Sequence, residues 1–278
     1  MISIGILSGD ESATESIKLI QQFQDFKITG IVQLNDLQSV EGKQYTTEDL
    51  LENSDATFVD VPAPSFDLIR AVIKKSNHLF LMRIPTLSLG ETTQLINLAN
   101  ESGSTILLFN PLFFTDENLK ISTTLNKQKL ITIRLPLRKK DIEHQLLSLL
   151  LFVMSTEKSE LRKTDVFTFD RTNESGIVSL RLAFATGSIA QIELGGMFKA
   201  SQSFIEIFQK EDHYFALPAD GPNAKTRLQT QKNALQHFLE AIHQGSAISI
   251  SLNELEQAIA CRNEIRDKLK FLNCSLLD

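Results

Sequence analysis

Residues 54–110 read SDATFVDVPAPSFDLIRAVIKKSNHLFLMRIPTLSLGETTQLINLANESGSTILLFN, and this stretch decides the fold. Thr57 to Val61 is a short apolar run of strand type. After Pro62 and Pro64, Ser65 is placed to cap a helix whose Leu68, Ala71 and Val72 are expected to face a sheet. Leu79 to Met82 is the next strand. Ser88 and Glu91 then form a capping box, and the helix they open runs through Leu95, Leu98 and Ala99 to Gly103, the residue suited to a left-handed helix end. Ile106 to Phe109 closes the segment as a further strand. Short apolar runs alternating with helix-period segments are the pattern of βαβ units, and hence of a parallel sheet.

Toward the N-terminus the same grammar continues. Ile2 to Leu7 reads as a strand, Ser12 to Phe23 as an amphipathic helix carrying Ile17, Ile20 and Phe23, and Ile28 to Leu34 as a second strand. Five parallel strands with intervening helices predict a Rossmann-like domain over residues 1–110. Beyond Asn110 the pattern changes. Leu130 to Leu135 is a strand and Ile142 to Met154 a buried helix. Val178, Leu180, Leu182 and Phe184 alternate with Ser179, Arg181 and Ala183 before a turn at Gly187 returns the chain into Ile189 to Leu194. A second hairpin pairs Phe204 to Phe208 with Tyr214 to Leu217. Two helices end the chain: one buries Leu228, Leu235, Phe238, Leu239 and Ile242 before Gly245, and the other opens with a Ser251/Glu254 capping box and buries Leu255, Ile259, Ile265 and Leu269. Residues 111–278 are therefore expected to form an α+β domain with a mostly antiparallel sheet, and the whole chain an α/β protein.

Composition narrows the function classes. The 278 residues are 42% hydrophobic and 22% charged, which suits a folded globular chain. With 28 Lys and Arg against 34 Asp and Glu the net charge is -6, so a dedicated nucleic-acid surface is not expected. The longest apolar stretch, Leu146 to Met154, is far short of the roughly 20 residues of a membrane span. The run at Ile2 lacks the cationic start of a signal peptide. Cys261 and Cys274 show no metal-ligand or CxxC spacing and are expected to be reduced thiols, and no metal site is expected. These features predict a cytoplasmic protein.

The order strand, Pro62, helix, strand, Pro85, capping box, Gly103, then Phe109-Asn110, resembles the Gfo/Idh/MocA oxidoreductases. So does the late order of a hairpin at Gly187, a helix, Gly245, strand-like Ile248 to Ile250 and a capped helix. The resemblance covers nearly the whole chain and implies a dinucleotide-binding domain followed by a sheet domain. It also implies hydride transfer between NAD or NADP and a sugar-like substrate.

Carried over residue by residue, the resemblance puts the glycine fingerprint on Ser8, Gly9, Asp10, Glu11, Ser12 and Ala13, with Ser8 and Asp10 where glycines stand. A carboxylate at the second of these adds bulk and like charge where the pyrophosphate must approach the backbone. The ribose-binding acid falls on Gln33, the strand-three motif on Val61 and Pro62, and the Glu-Lys-Pro motif with its catalytic lysine on Arg83, Ile84 and Pro85. Ile84 cannot exchange a proton. Asn110 is kept. The catalytic histidine falls near His144, preceded at three residues by Asp141, itself a residue type suited to an N-cap. The expected cofactor-binding set is thus Ser8, Gly9, Asp10, Glu11, Ser12, Gln33, Val61, Pro62, Arg83, Pro85 and Asn110, and the expected catalytic pair His144 and Asp141.

Two functions fit these residues. One is a catalytically degenerate relative that keeps the frame as a binding or assembly protein. The other is an active NAD(P)-dependent oxidoreductase acting on a sugar-like substrate, with His144 as base. Apolar residues on both faces of the strands from Val178 to Leu194, such as Ile177 and Ala183 opposite Val178 and Leu182, further predict a homodimer through the second sheet.

Overall fold

The computed structural model describes residues 1–9, 13–34, 46–75, 77–116, 118–119, 128–137, 141–169, 176–209, 213–218, 224–245, 248 and 250–272. The chain forms two compact units, Met1–Asn110 with Gln229–Glu256, and Pro111–Leu228 with Gln257–Asp278. The first break lies at Asn110. The segment Gln229–Glu256 joins the first unit and not the second, because Phe238 sets its ring edge-on against Phe80 with centroids 5.5 Å apart, Leu108 N donates to Ile250 O, and Thr93 donates to the Glu256 carboxylate.

The first unit contains a five-stranded parallel sheet in the order β2-β1-β3-β4-β5, made of β1 (Ile2–Ser8), β2 (Phe26–Gln33), β3 (Ala56–Asp60), β4 (His78–Leu81) and β5 (Ile106–Leu108). Ile4, Ile6, Phe58, Leu79, Phe80 and Leu107 are fully buried, as expected of strands covered on both faces. The connecting helices are α1 (Ala13–Ile20), α2 (Thr47–Glu52), α3 (Phe66–Lys74) and α4 (Leu89–Ser102). Two of them start where their caps predict. Ser65 Oγ accepts from Leu68 N, and Ser88 with Glu91 forms the full capping box. Gly103 ends α4 at φ +69°, a conformation that strains any residue with a Cβ.

Several details differ from the sequence reading. Helix α2 was not expected, although Thr46 and Asp49 close a capping box at its start. On α3 the buried stripe is Ile69, Val72 and Ile73, while Ala71 is exposed and Leu68 half-buried: the helix phase is set by the sheet it covers, one residue on from the expected stripe. Leu228 is also exposed, whereas Ala234, Leu235, Phe238 and Ala241 of α6 (Ala224–Gln244) carry its buried face.

The second unit is built on a six-stranded sheet in the order β11-β10-β6-β9-β8-β7. Its strands are β6 (Lys129–Pro136), β7 (Leu161–Phe169), β8 (Ile177–Phe184), β9 (Ile189–Gly195), β10 (Phe204–Gln209) and β11 (His213–Pro218). Only β6 and β9 pair in parallel. Strand β7 was not expected, since its run LRKTDVFTF carries too many polar residues to show an apolar alternation. Helix α5 (Ile142–Glu157) lies along β6 in the opposite sense: Gln145 Nε2 donates to Pro136 O at one end and Lys129 Nζ to Thr156 O at the other. From Leu146 to Met154 it buries nearly every residue, the behaviour of a helix apolar on all sides. Helix α7 (Leu252–Phe271) meets β7 through hydrogen bonds of Thr164 to Glu264 and Lys268. On α7 Ser251 accepts from Asn253 N while Glu254 accepts from Ser251 N, and Leu255, Ile259, Ile265 and Leu269 are buried.

Candidate functional site

In an open parallel sheet the ligand crevice lies beyond the carboxyl ends of the strands, at the point where strand order reverses. Here that point lies between β1 and β3. Ser8, the last residue of β1, is in register with Gln33 on β2 and with Asp60 on β3. Leu34 N donates to Ser8 O at 2.8 Å, and Gly9 N donates to Asp60 O at 2.9 Å. A Cβ on Gly9 would stand 2.8 Å from Pro62 Cδ and 2.9 Å from Val61 Cγ1, so the turn after β1 rests directly on Val61 and Pro62 and admits no side chain there.

The polar centre of this edge is Asp60, whose side chain is 6% exposed. Its Oδ2 accepts from Ser16 Oγ of α1 at 3.2 Å, and its Oδ1 lies 3.7 Å from Nε of Arg83, which follows β4. The Arg83 side chain is 43% exposed, so the guanidinium is held on one side by a buried carboxylate and reaches solvent on the other. Ile84 is buried in the core, as are Pro85 and Asn110.

The structure thus brings Ser8, Gly9, Gln33, Val61, Pro62 and Arg83 to one strand edge. Asp10, Glu11 and Ser12 lie outside the described residues. Asp60 was missed by the sequence reading, which treated it as one more residue of strand three; the signal was a lone charge ending the apolar run ATFV. Its carboxylate bears on cofactor chemistry. Set at the end of β3, in register with Ser8, it accepts a hydrogen bond from the Ser16 hydroxyl and is offset by the Arg83 guanidinium.

His144 and Asp141 belong to the second unit, at the start of α5, and both are exposed. Asp141 does not cap the helix with its side chain, contrary to expectation. Its backbone, at φ -146° and ψ 26°, is not in the extended conformation from which Ser65 and Ser88 reach their helix amides. Elsewhere, burial pushes the Cys261 thiol up to about 12, the state of an inert core thiol. Among the described residues no cluster of three or more His, Cys, Asp or Glu is arranged to hold a metal, and no helix is long and apolar enough to cross a membrane.

No family model matches the chain, and no curated protein matches it by sequence. Solved structures match it along its length. A probable dehydrogenase from Thermotoga maritima superposes with a TM-score of 0.74 at 14% identity, covering 97% of each chain. UDP-N-acetylglucosamine 3-dehydrogenase GnnA from Acidithiobacillus ferrooxidans gives 0.71 at 12% identity over 96% of this chain and 97% of the other. Biliverdin reductase from Synechocystis sp. PCC 6803, solved with biliverdin and NADP+, gives 0.60 at 11% identity over 96% and 98%. At such identities the likeness is one of fold: a five-stranded parallel sheet in one unit and a second, mostly antiparallel sheet in the other.

Proposed function

We propose that this protein is a catalytically degenerate relative of the sugar and polyol dehydrogenases, retaining their frame as a binding or assembly protein. The observation that carries this reading is the strand edge of the first unit. Where a dinucleotide site needs an open glycine turn and a proton-exchanging lysine, this chain has a buried Asp60 carboxylate bound to Ser16 and Arg83, and Ile84 turned into the core. The ligand of such a protein is a small sugar-like molecule or nucleotide fragment, bound more weakly than a dinucleotide is by an active enzyme.

The partner in assembly is a second copy of the chain, docked on the exposed face of the second unit's sheet. That face carries Phe167 and Phe169 on β7, Leu130 on β6 and Phe208 on β10, all more than 40% exposed. It also carries both charge signs, Arg134 paired with Glu193 and an exposed Arg181, which a face meeting its own copy about a two-fold axis can use.

Calorimetric titration with NAD+, NADH, NADP+ and NADPH tests the functional reading. No dissociation constant tighter than about 0.1 mM is expected, a binding free energy of roughly -5.5 kcal/mol. Micromolar binding, or turnover of a sugar or polyol that disappears in His144→Asn, overturns it in favour of an active oxidoreductase with His144 as base.

A further inference from the structure

The Asp60–Arg83 pair also decides which charge the strand edge of the first unit shows to water. Among the described residues that end the five strands or stand within two places after them, Asp60 is the only acid and Arg83 the only base. The acid is buried and faces donors of the protein: Ser16 Oγ donates to Oδ2 at 3.2 Å, and Arg83 Nε lies 3.7 Å from Oδ1. The base is exposed. A pair with its negative member inside and its positive member outside is a dipole whose positive end meets solvent.

Arg83 is also incompletely used. Its nearest approach to Asp60, at 3.7 Å, is longer than a hydrogen bond, and its guanidinium makes none among the described residues. Nε is the nitrogen nearest the carboxylate, so the planar fork of Nη1 and Nη2, with most of the group's N–H donors, stands farther from it. The backbone beneath is fixed: Met82, Ile84 and Pro85 are buried, and Met82 N donates to Val59 O at 2.9 Å. On the same edge the half-buried Gln33 is in register with Ser8, and Ser8 with Asp60.

This edge of an open parallel sheet is where a ligand is met. We infer that Arg83 is the residue by which the first unit recognises its ligand, and that the ligand carries an anionic group, a carboxylate or a phosphate, which accepts from the guanidinium fork. The inference rests on the proposed binding role and narrows it, since a neutral sugar lacks the group that Arg83 is placed to hold.

The test is calorimetric titration of the full chain at low ionic strength with glucuronate, glucose 6-phosphate and glucose. Saturable binding of at least one of the two acids is expected, with glucose bound at least about tenfold more weakly. Glucuronate alone assigns the site to a carboxylate, glucose 6-phosphate alone to a phosphate, and both to either group. Arg83→Gln is expected to weaken acid binding by about tenfold and to leave glucose unchanged. Should Arg83→Gln fail to fold by circular dichroism, the double variant Asp60→Asn/Arg83→Gln decides, because it leaves no buried carboxylate without its partner charge; it is expected to lose the preference for the acids in the same way. Acids that do not saturate, glucose bound as tightly as they are, or acid binding unchanged in the folded Arg83 variant overturns the inference. The degenerate reading fails on a different result, micromolar NADH binding or turnover of a sugar, so the two failures are told apart.

Discussion

Asp60 Oδ1 stands 3.7 Å from Arg83 Nε, joining the ends of β3 and β4 by an ion pair with one buried and one half-exposed partner. The asymmetry decides how the pair responds to mutation. Removing the arginine takes the Arg83 charge away from a carboxylate that is 6% exposed, whereas removing the carboxylate frees an arginine that solvent can reach.

Arg83→Gln is therefore expected to lower stability more than Asp60→Asn, by about 2 kcal/mol against about 1 kcal/mol once the exposure of Arg83 is allowed for. Urea denaturation at pH 7 measures both. Equal losses, or a larger one for Asp60→Asn, contradict the described burial. Asp60→Asn is also expected to improve NADH affinity while Arg83→Gln does not, since only the first removes a negative charge from this strand edge.

In the second unit, Lys129 Nζ lies 3.8 Å from Glu157 Oε2, and both side chains are almost fully buried. Lys129 Nζ also donates to Thr156 O at 2.9 Å, while Glu157 accepts from Ser159 and Thr186. Glu157→Leu or Lys129→Met alone leaves an uncompensated buried charge and is expected to destabilise the chain by about 3 kcal/mol. The double variant is expected to be no less stable than either single one, as seen in a double-mutant cycle by thermal or urea unfolding.

Stability is expected to fall with pH through His78. Its Nδ1 accepts from Thr105 N at 3.1 Å, which requires the unprotonated ring nitrogen, and burial lowers its pKa from the usual 6.5 against a weaker opposite pull from Asp55. A base with a lowered folded pKa contributes stability that is complete above about 6.5 and is lost as pH falls from there through the folded value. Asp55, held ionised by Ser3, acts in a separate window below its usual 3.8. Urea midpoints at pH 7.5, 6.5 and 5.5 should decline, and His78→Gln should flatten the decline. An unchanged slope in the variant rejects His78 as its source.

Docking of two copies through the second sheet predicts a mass near twice 31.2 kDa by light scattering at micromolar concentration. Phe169 is 69% exposed, so Phe169→Arg should yield a folded monomer. A native monomer rejects the dimer.

Much of this protein is written locally in its sequence. The five parallel strands announce themselves as apolar runs, and α3 and α4 begin at Ser65 and Ser88 because a cap needs only the hydroxyl and the amide three residues on. Gly103 ends α4 because the left-handed turn disfavours a Cβ within the same few atoms. Strand β7 and the phase of α3 were not legible, since burial there is set by neighbours distant in the chain: Val166 on β7 faces Leu180, and Ile69 of α3 is covered by the sheet it crosses. The strand-edge candidates Ser8, Gly9, Val61, Pro62 and Arg83 were visible one by one as residue types after strands. What only the tertiary structure decided is the chemistry of their meeting. Asp60, Ser16 and Arg83 are spread over 67 positions of chain, and Glu143 is 123 positions from Arg266. Electrostatics acts through distance in space, and sequence spacing carries no record of it.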